Sequence, residues 1–201
     1  MVDFTIFKAV NGFAADHDSF EDLFRFFAVS AQYLFAGLLA AAFLAQGRWR
    51  SVRARHGIVA AGLTALLALG IAHVITMIWD RPRPYEAHPG VAHLFIDSSS
   101  DSSFPSDHAT AAFAIAVSIL LRNRRLGLIV LAMATIVSVS RVVVGTHYPS
   151  DVLAGALLGT FAAFVLWTPP IRGYLRRFAL ELSAFYDRLS AKVLGRPSAA
   201  A

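Results

Sequence analysis

The distribution of hydrophobic residues constrains this chain more than any other feature of its sequence. Of its 201 residues, 57% are hydrophobic and only 15% are charged, whereas about a quarter of the residues in a soluble domain are charged. The hydrophobic residues lie in long runs that are nearly free of charge, and roughly 20 such residues are enough for a helix to cross a bilayer. The sequence therefore predicts an all-α membrane helix bundle that forms a single domain over residues 1–201.

Five segments are predicted to span the membrane. Four of them extend over sixteen residues or more with almost no charge, whereas the third in chain order has only thirteen residues. That third segment can span only if its helix begins earlier, near Pro105–His108, so that polar residues dip below the membrane surface. The five segments are Phe26–Ala45, Gly57–Trp79, Ala109–Leu121, Leu126–Val144 and Val152–Trp167.

Basic residues are distributed unevenly across the two sides of these five spans. The side that holds the C-terminus carries thirteen of the eighteen Lys and Arg residues, and the opposite side carries eleven of the thirteen acidic residues. Cytoplasmic loops of membrane proteins are enriched in Lys and Arg. The C-terminus is therefore predicted to be cytoplasmic and the N-terminus to lie outside. This topology accounts for the net charge of +5 without a nucleic-acid partner.

Two further segments are predicted to be amphipathic helices. In residues 170–195 the apolar side chains recur at steps of three and four, and basic side chains fill the gaps. This helix either lies on the cytoplasmic leaflet or packs in the interface of a homodimer. Residues Phe4–Phe13 are predicted to form a shorter interfacial helix on the outer side. The first twenty residues contain four charged side chains and no compact apolar stretch, so no signal peptide is expected.

Polar residues form three clusters at the ends of the predicted spans. These clusters are Asp80–Tyr85, Phe104–His108 and Ser140–Asp151, and the topology places all three on the outer side. Ionisable residues at membrane ends are costly and usually functional. The clusters are far apart in sequence, so we expect the helix bundle to bring them together into one site.

The residue types in these clusters are suited to phosphoryl transfer. Arginine side chains offer forked donors that match phosphate oxygens, and the helix that begins at Ser106 presents free backbone N–H groups to an anion. His108 and His147 provide a nucleophile and a general acid. Asp151 lies four residues after His147 and can reach its ring. The chain contains no cysteine, which excludes thiolate metal sites, and we expect neither a metal nor a cofactor.

The three clusters resemble the signature motifs of the type-2 phosphatidic acid phosphatase superfamily. The third motif of that family is Ser-Arg, five residues, His, three residues and Asp. Here the same spacing joins Ser140-Arg141, His147 and Asp151 without a departure. The resemblance extends from about His73 to Asp151, and all three motifs occur in the family's order.

The other two motifs each depart from the family pattern at one position. The second motif is Pro-Ser-Gly-His in the family and Pro-Ser-Asp-His here, with Asp107 in place of the glycine. The first motif is Lys, six residues and Arg-Pro. It ends at Arg83-Pro84, but Thr76 stands where the lysine is expected. We hypothesise that Arg81 supplies the missing charge.

The resemblance assigns a role to each of these residues. His147 would attack phosphorus to form a phosphohistidine while Asp151 orients its ring. His108 would protonate the leaving oxygen and then activate water. The resemblance assigns phosphate binding to Arg83, Arg141 and Ser106, and we add Arg81 and Asp107 as further candidates to bind the phosphate.

The Asp-Arg-Pro-Arg-Pro stretch, the Pro-Ser-Asp-His motif and the five spans together resemble the bacterial undecaprenyl pyrophosphate phosphatase branch of the superfamily. This resemblance implies hydrolysis of undecaprenyl pyrophosphate to the monophosphate, at the outer face of the bacterial inner membrane. Two alternatives stay open. One is a phosphatase for phosphatidylglycerophosphate or phosphatidic acid, and the other is an inactive membrane protein that binds or transports lipids.

The remaining polar residues near the motifs are predicted to have structural roles. For His73, inside the second span, we expect a hydrogen-bonded packing role, and a place facing the site is the alternative. We expect His88 and His93 to be solvated loop residues, and metal binding is the alternative. Residues 85–104 form either a flexible lid or a plain loop, and the sequence favours neither.

Overall fold

The computed structural model describes residues 2–49 and 52–194, and these residues form helices without any strand. The long loop over residues 88–106 is the main irregular segment. The all-α prediction is therefore confirmed for the described part of the chain. In chain order the helices are α1 (Val2–Ala15), α2 (Asp18–Trp49), α3 (Val52–Ile78), α4 (Pro84–Ala87), α5 (Asp107–Leu120), α6 (Arg124–Val143), α7 (Pro149–Trp167) and α8 (Pro169–Leu194).

Each of the five predicted spans lies within one of these helices, to within one residue at its C-terminal end. Among the described residues, α6, α7 and the Gly57–Ile78 part of α3 are long and apolar enough to cross a membrane. Helix α2 is bent by 53° between Asp18–Ala31 and Tyr33–Ala41, and it provides a fourth span if the two parts are taken together. These helices account for the predicted membrane bundle.

Helix α5 is the short apolar helix of the bundle. It has 14 residues, which corresponds to about 21 Å at 1.5 Å per residue, against about 30 Å for the hydrocarbon layer. It begins at Asp107, so the expectation that this helix starts before its apolar run is confirmed. Because α5 is short, its polar first turn can lie deeper than the ends of its longer neighbours.

Helix α5 is also the centre of the bundle and packs against α3, α6 and α7. Its buried face consists largely of alanines, such as Ala112 and Ala116. On α7, a Cβ added at Gly155 would lie 2.5 Å from the Ser106 carbonyl oxygen, and one added at Gly159 would lie 2.2 Å from that of Thr110. Small residues at such contacts let two helix backbones approach closely. The beginnings of α5 and α7 are consequently held side by side.

Helix α1 contains the predicted interfacial segment Phe4–Phe13 and packs across the adjoining ends of α6 and α7. Phe7 is fully buried, and its ring centroid lies 5.8 Å from that of Tyr148. The buried Asn11 side chain donates to the carbonyl oxygens of Val143 and His93, each at 2.9 Å. Helix α1 is therefore part of the packed bundle end.

Helix α8 corresponds to the predicted amphipathic tail, and residue 195 of that prediction lies outside the described residues. It contacts α3 and α7, with Ala179 buried. Several large apolar side chains along it are exposed, among them Tyr174, Phe178, Phe185 and Leu189. Its location on the leaflet or in a dimer interface stays a prediction.

The close approach of α5 and α7 predicts a strong effect of a single methyl group. Gly159→Ala should destabilise the protein by about 1–3 kcal/mol, because the new Cβ overlaps the backbone of α5. A suitable control is Gly70→Ala in α3, where no neighbouring atom lies within 4 Å of the added Cβ. That change should be neutral or stabilise by up to about 1 kcal/mol. Thermal unfolding of both variants in detergent measures the difference, and equal effects would contradict the backbone contact.

Candidate active site

The three polar clusters meet in a pocket at one end of the bundle, where α3 and α6 end and α5 and α7 begin. The pocket has a volume of about 390 Å³. The structure thus brings these distant segments together in one place, as we expected from the sequence. The pocket is lined by His73, Thr76, Met77, Asp80, Arg83, Ser99, Asp101, Ser102, Pro105, Asp107, His108, Arg141 and His147.

His147 lies on the short turn between α6 and α7, and its side chain is almost fully buried. Its Nδ1 lies 2.8 Å from the Ser103 carbonyl oxygen. Because a carbonyl oxygen only accepts hydrogen bonds, Nδ1 carries the proton and Nε2 keeps its lone pair. Nε2 lies 3.4 Å from Nη1 of Arg83, and Arg83 lines the pocket. The unprotonated Nε2 of His147 accepts this long hydrogen bond from Arg83 and faces the part of the pocket where the arginines would hold a phosphate.

The surroundings of His147 keep its ring neutral. Burial lowers the pKa of His147 well below its ordinary value, and the charges of Arg83 and Arg141 lower it further. The hydrogen bond to Ser103 acts in the opposite direction and is outweighed. A histidine can attack phosphorus only in its neutral form, so this environment suits a nucleophile.

Asp151 is fully buried beside this ring, but it makes no direct hydrogen bond to it. Its Oδ2 lies 3.9 Å from His147 Nδ1, which is beyond hydrogen-bond distance. The same oxygen accepts hydrogen bonds from Ser103 Oγ at 2.6 Å and from the Tyr148 backbone N–H at 2.8 Å. Ser103 thus stands between Asp151 and His147. In the structure Asp151 therefore contacts the His147 ring only indirectly, through Ser103, and not by the direct contact that we expected.

Arg83 is the best-anchored arginine of the pocket. It is buried, and its Nη1 donates to the Thr146 carbonyl oxygen at 3.0 Å while its Nη2 donates to Asp101 Oδ1 at 2.9 Å. Burial alone would raise the pKa of Asp101, but the Ser99 hydrogen bond and the Arg83 charge outweigh it and lower that pKa. The loop over residues 85–104 thus places an ionised carboxylate on Arg83 and contributes to the pocket wall.

Arg141 and Ser106 carry polar atoms that are buried without a partner. Arg141 Nη1 donates to the Ala28 carbonyl oxygen at 3.2 Å. Among the described residues, neither Arg141 Nε nor Ser106 Oγ has a hydrogen-bond partner. Buried polar atoms of folded proteins are nearly always hydrogen-bonded. Arg141 lines the pocket, so its Nε is available to a ligand with acceptor oxygens, whereas Ser106 is fully buried and is not among the residues that line the pocket.

His108 and Asp107 stand in the first turn of α5 and line the pocket. Ser106 is the N-cap residue of this helix, and its side chain does not cap the first turn. The first N–H groups of a helix have no partner within the helix and favour an anion. The beginning of α5 therefore adds backbone donors to the side of the pocket where His108 is located.

Arg81 does not line the pocket. Its Nη1 donates to Asp151 Oδ1 at 2.5 Å and its Nη2 to Asp3 Oδ2 at 2.8 Å. Its guanidinium also lies over the Tyr148 ring, 4.0 Å from the centroid. The structure thus binds Arg81 to Asp151 and Asp3 outside the pocket lining, and gives no support to the hypothesis that Arg81 replaces the missing lysine.

His73 lines the pocket instead of being enclosed in the bundle, contrary to the packing role expected from the sequence. The reason is the helical period of α3. Residues 73, 76 and 77 follow the i, i+3, i+4 pattern of one helix face, and all three line the pocket together with Asp80, which lies just beyond the end of α3. His73 therefore lies one turn from Thr76, the position of the missing lysine.

Three residues of this arrangement were not indicated by the motifs. Asp101 and Ser103 belong to a polar run just before the second motif, and that run is a usable sequence signal. Asp3 is 78 positions from Arg81, and no feature of the sequence indicates their contact.

A comparison with protein families decides which group this chain belongs to. Residues 57–171, more than half of the chain, match the family model described as PAP2 superfamily. The chain belongs to the PAP2 superfamily. It is a multi-pass membrane phosphatase that acts on phosphorylated lipids, as the three motifs predict.

Several known proteins are similar to this PAP2 chain. Undecaprenyl-diphosphatase BcrC from Bacillus subtilis is 30% identical over 98% of this chain and 98% of its own length. The bacitracin transport permease protein BcrC from Bacillus licheniformis is 28% identical over 94% of this chain and 89% of its own. Decaprenylphosphoryl-5-phosphoribose phosphatase from Mycobacterium tuberculosis is 40% identical, but over 53% of this chain and 58% of its own.

A solved structure has the same fold. The crystal structure of Aquifex aeolicus LpxE is 23% identical in sequence, with a TM-score of 0.67 over 82% of this chain and 94% of that one. The membrane helix bundle predicted from the hydrophobic runs is therefore the fold of a PAP2 phosphatase. The part of the chain described by the structure holds no cluster of three or more His, Cys, Asp or Glu residues that could bind a metal.

The buried, neutral His147 predicts a sensitivity to acid. In the unfolded chain its pKa returns to about 6.5, whereas in the folded protein its pKa lies well below that value. Between these two values the unfolded chain binds a proton that the folded protein does not. Stability should therefore fall as the pH falls below about 6.5, by about 1.4 kcal/mol per pH unit from this residue alone.

The test compares thermal unfolding of the wild type and His147→Asn at about pH 7.5 and about pH 5. Other groups titrate alike in both proteins, so the variant should lose less of its Tm on acidification. An equal loss in the two proteins would show that His147 is not held neutral by the fold.

Proposed function

We propose that this protein hydrolyses a lipid diphosphate to the lipid monophosphate and phosphate through a phosphohistidine at His147, and that undecaprenyl pyrophosphate is its favoured substrate. The observation that carries the proposal is the His147 ring itself. It is neutral, its proton is fixed on Nδ1 by Ser103, and its unprotonated Nε2 lies 3.4 Å from Arg83 Nη1 in the pocket.

In the first step, the Nε2 lone pair of His147 attacks the terminal phosphorus. The bond from that phosphorus to the bridging oxygen breaks, and the lipid monophosphate leaves with a proton from His108. Arg83 and Arg141 bind the phosphoryl oxygens as their charge redistributes. The imidazole becomes positively charged, and the Asp151 carboxylate at 3.9 Å from Nδ1 stabilises that charge.

In the second step, water replaces the histidine on phosphorus. His108 has given up its proton and now takes one from the attacking water. The P–N bond breaks, its electron pair returns to Nε2, and phosphate leaves. His147 is again neutral and His108 is again protonated, so the cycle closes without any external reagent.

A second cavity supports the proposal that the leaving group carries a lipid tail. It has a volume of about 290 Å³ and shares Asp107 and His108 with the phosphate pocket. The residue that would protonate the leaving oxygen thus stands where an apolar cavity begins, and the leaving oxygen is the atom that carries the lipid tail. The other residues that line this cavity are Ala31, Phe35, Leu69, Ala111, Ala112 and Val137, from α2, α3, α5 and α6.

The choice of undecaprenyl pyrophosphate follows the similarity over the whole chain. The full-length relative is by name an undecaprenyl-diphosphatase, whereas the decaprenylphosphoryl-5-phosphoribose phosphatase matches about half of the chain. Phosphatidylglycerophosphate and phosphatidic acid would be hydrolysed by the same chemistry. Another relative is named a transport permease. For this reason lipid binding without hydrolysis is the competing class of function.

We place the active site on the extracytoplasmic face of the bacterial inner membrane and the C-terminus in the cytoplasm. The support is the excess of Lys and Arg on the C-terminal side. The chain has no cysteine, so a cysteine introduced at the exposed Pro89 is a unique label site. A membrane-impermeant reagent should label it in intact cells, and labelling only after permeabilisation would reverse the orientation.

Phosphate release by the detergent-purified protein in EDTA tests the function. The substrates are undecaprenyl pyrophosphate, decaprenylphosphoryl-5-phosphoribose, phosphatidylglycerophosphate and phosphatidic acid. We expect fastest release from undecaprenyl pyrophosphate, and a loss of at least about a thousandfold in His147→Ala. The matched control is His17→Ala, a histidine in the turn before α2 and outside the pocket, which should keep full activity.

Each other outcome has a distinct meaning. Faster release from a glycerolipid or from the phosphoribose lipid would keep the mechanism and replace the substrate. Loss of activity in EDTA alone would contradict metal independence. Binding of the lipids without release of phosphate from any of them would favour the transport function and contradict the proposal.

A further inference from the structure

Asp3, in the first turn of α1, is tied to the catalytic region by several contacts. Its Oδ2 accepts hydrogen bonds from Arg81 Nη2 at 2.8 Å and from Ser150 Oγ at 2.5 Å, and its Oδ1 accepts one from the Ser150 backbone N–H at 3.0 Å. Ser150 directly precedes Asp151 at the start of α7. The N-terminal helix thus contacts the residue next to Asp151 and the arginine that is bound to Asp151.

Arg81 is shared between the carboxylates of Asp3 and Asp151. One of its terminal nitrogens bonds to each, so the guanidinium is fixed from two sides. Asp151 is 0% exposed, and a buried carboxylate needs a cation and hydrogen bonds to remain charged. Burial alone would raise the pKa of Asp3, but its bonds to Ser150 and Arg81 lower it. Asp3 is therefore an ionised partner that holds Arg81 in place.

Helix α1 also holds the other end of the turn that carries His147. Asn11 donates to the Val143 carbonyl oxygen at 2.9 Å, and it binds the backbone N–H and carbonyl of His93. His93 in turn lies against Gly145, where an added Cβ would be 2.0 Å from the His93 carbonyl oxygen and where φ is +87°. The turn from Val143 to Ser150 is thus held by α1 at both of its ends.

We propose that α1 is a positioning element of the active site, in which Asp3 acts through Arg81 to hold Asp151. Asp151 in turn holds Ser103, and Ser103 fixes the His147 ring for attack. The inference rests on the proposed function and extends it, because α1 lies outside residues 57–171 that match the PAP2 family. Neither Asp3 nor Arg81 lines the phosphate pocket, so we expect them to change the rate of reaction and not the binding of substrate.

The test measures kcat and KM for Asp3→Asn, Arg81→Gln and Arg81→Lys on the preferred substrate. Arg81→Gln should lower kcat by about 10- to 100-fold, because small displacements of reacting groups have effects of that size. Arg81→Lys should recover part of the loss, and KM should change by less than about twofold. The control is Lys8→Gln on the same helix, which should leave kcat and KM unchanged.

The double variant Asp3→Asn with Arg81→Gln tests the order of the contacts. If Asp3 acts through Arg81, the double variant should be no slower than Arg81→Gln alone, because the two effects share one route. Multiplied losses in the double variant would contradict this route. Tm and the folded fraction are measured for every protein, so that kcat is expressed per folded molecule.

Three results would overturn the inference while the wild type is active. They are unchanged kcat in Asp3→Asn and Arg81→Gln, a raised KM with unchanged kcat, and a fall in kcat that the folded fraction accounts for entirely. The second result would mean that Arg81 binds substrate phosphate directly. If the wild type releases phosphate from no lipid, the proposed function fails and the inference falls with it.

Discussion

The hydrogen bond from His147 Nδ1 to the Ser103 carbonyl oxygen is the contact on which the rest of the active site depends. At 2.8 Å, it fixes the proton on Nδ1 and leaves the Nε2 lone pair beside Arg83. The groups around it are arranged in sequence: Asp151 accepts from the Ser103 hydroxyl, Arg81 binds Asp151, and Asp3 binds Arg81. The direction of His147, the proposed nucleophile, is thus set by a series of polar contacts from α1 to the turn that carries His147.

The packing of α5 against α7 fixes the position of these polar contacts in the bundle. Gly155 and Gly159 let the two backbones touch, and the Ser106 N–H donates to the Asp151 carbonyl oxygen at 3.0 Å. The beginning of α5, which carries His108, is therefore locked to the beginning of α7, which carries Asp151. Since α5 is also short, His108, the proposed general acid, is recessed in the bundle, where the pocket that His147 lines joins the apolar cavity.

The sequence predicts the helices well because the bilayer restricts a spanning chain to few solutions, and long uncharged runs must be helical. The motif spacing also predicts that Arg83, His108, Arg141 and His147 share a pocket. The motif spacing does not predict which residues the Arg81 side chain contacts. Residues 79–83 are irregular, so there is no regular side-chain period from which its orientation could be extrapolated. Ser103 acts through its backbone carbonyl as well as its hydroxyl, which its residue type does not reveal. The His73 position, in contrast, follows from the helical period of α3.

The measurement that tests the central claim most directly is the trapping of the covalent intermediate. Undecaprenyl pyrophosphate labelled in its terminal phosphate is mixed with the His108→Ala variant and quenched with base within milliseconds. A lipid monophosphate is a good leaving group, so the first step should proceed while the attack of water is slowed. The account predicts an acid-labile, base-stable label on the peptide that contains His147. Label on a different residue, or turnover without any labelled protein, would contradict the assignment of His147 as the nucleophile.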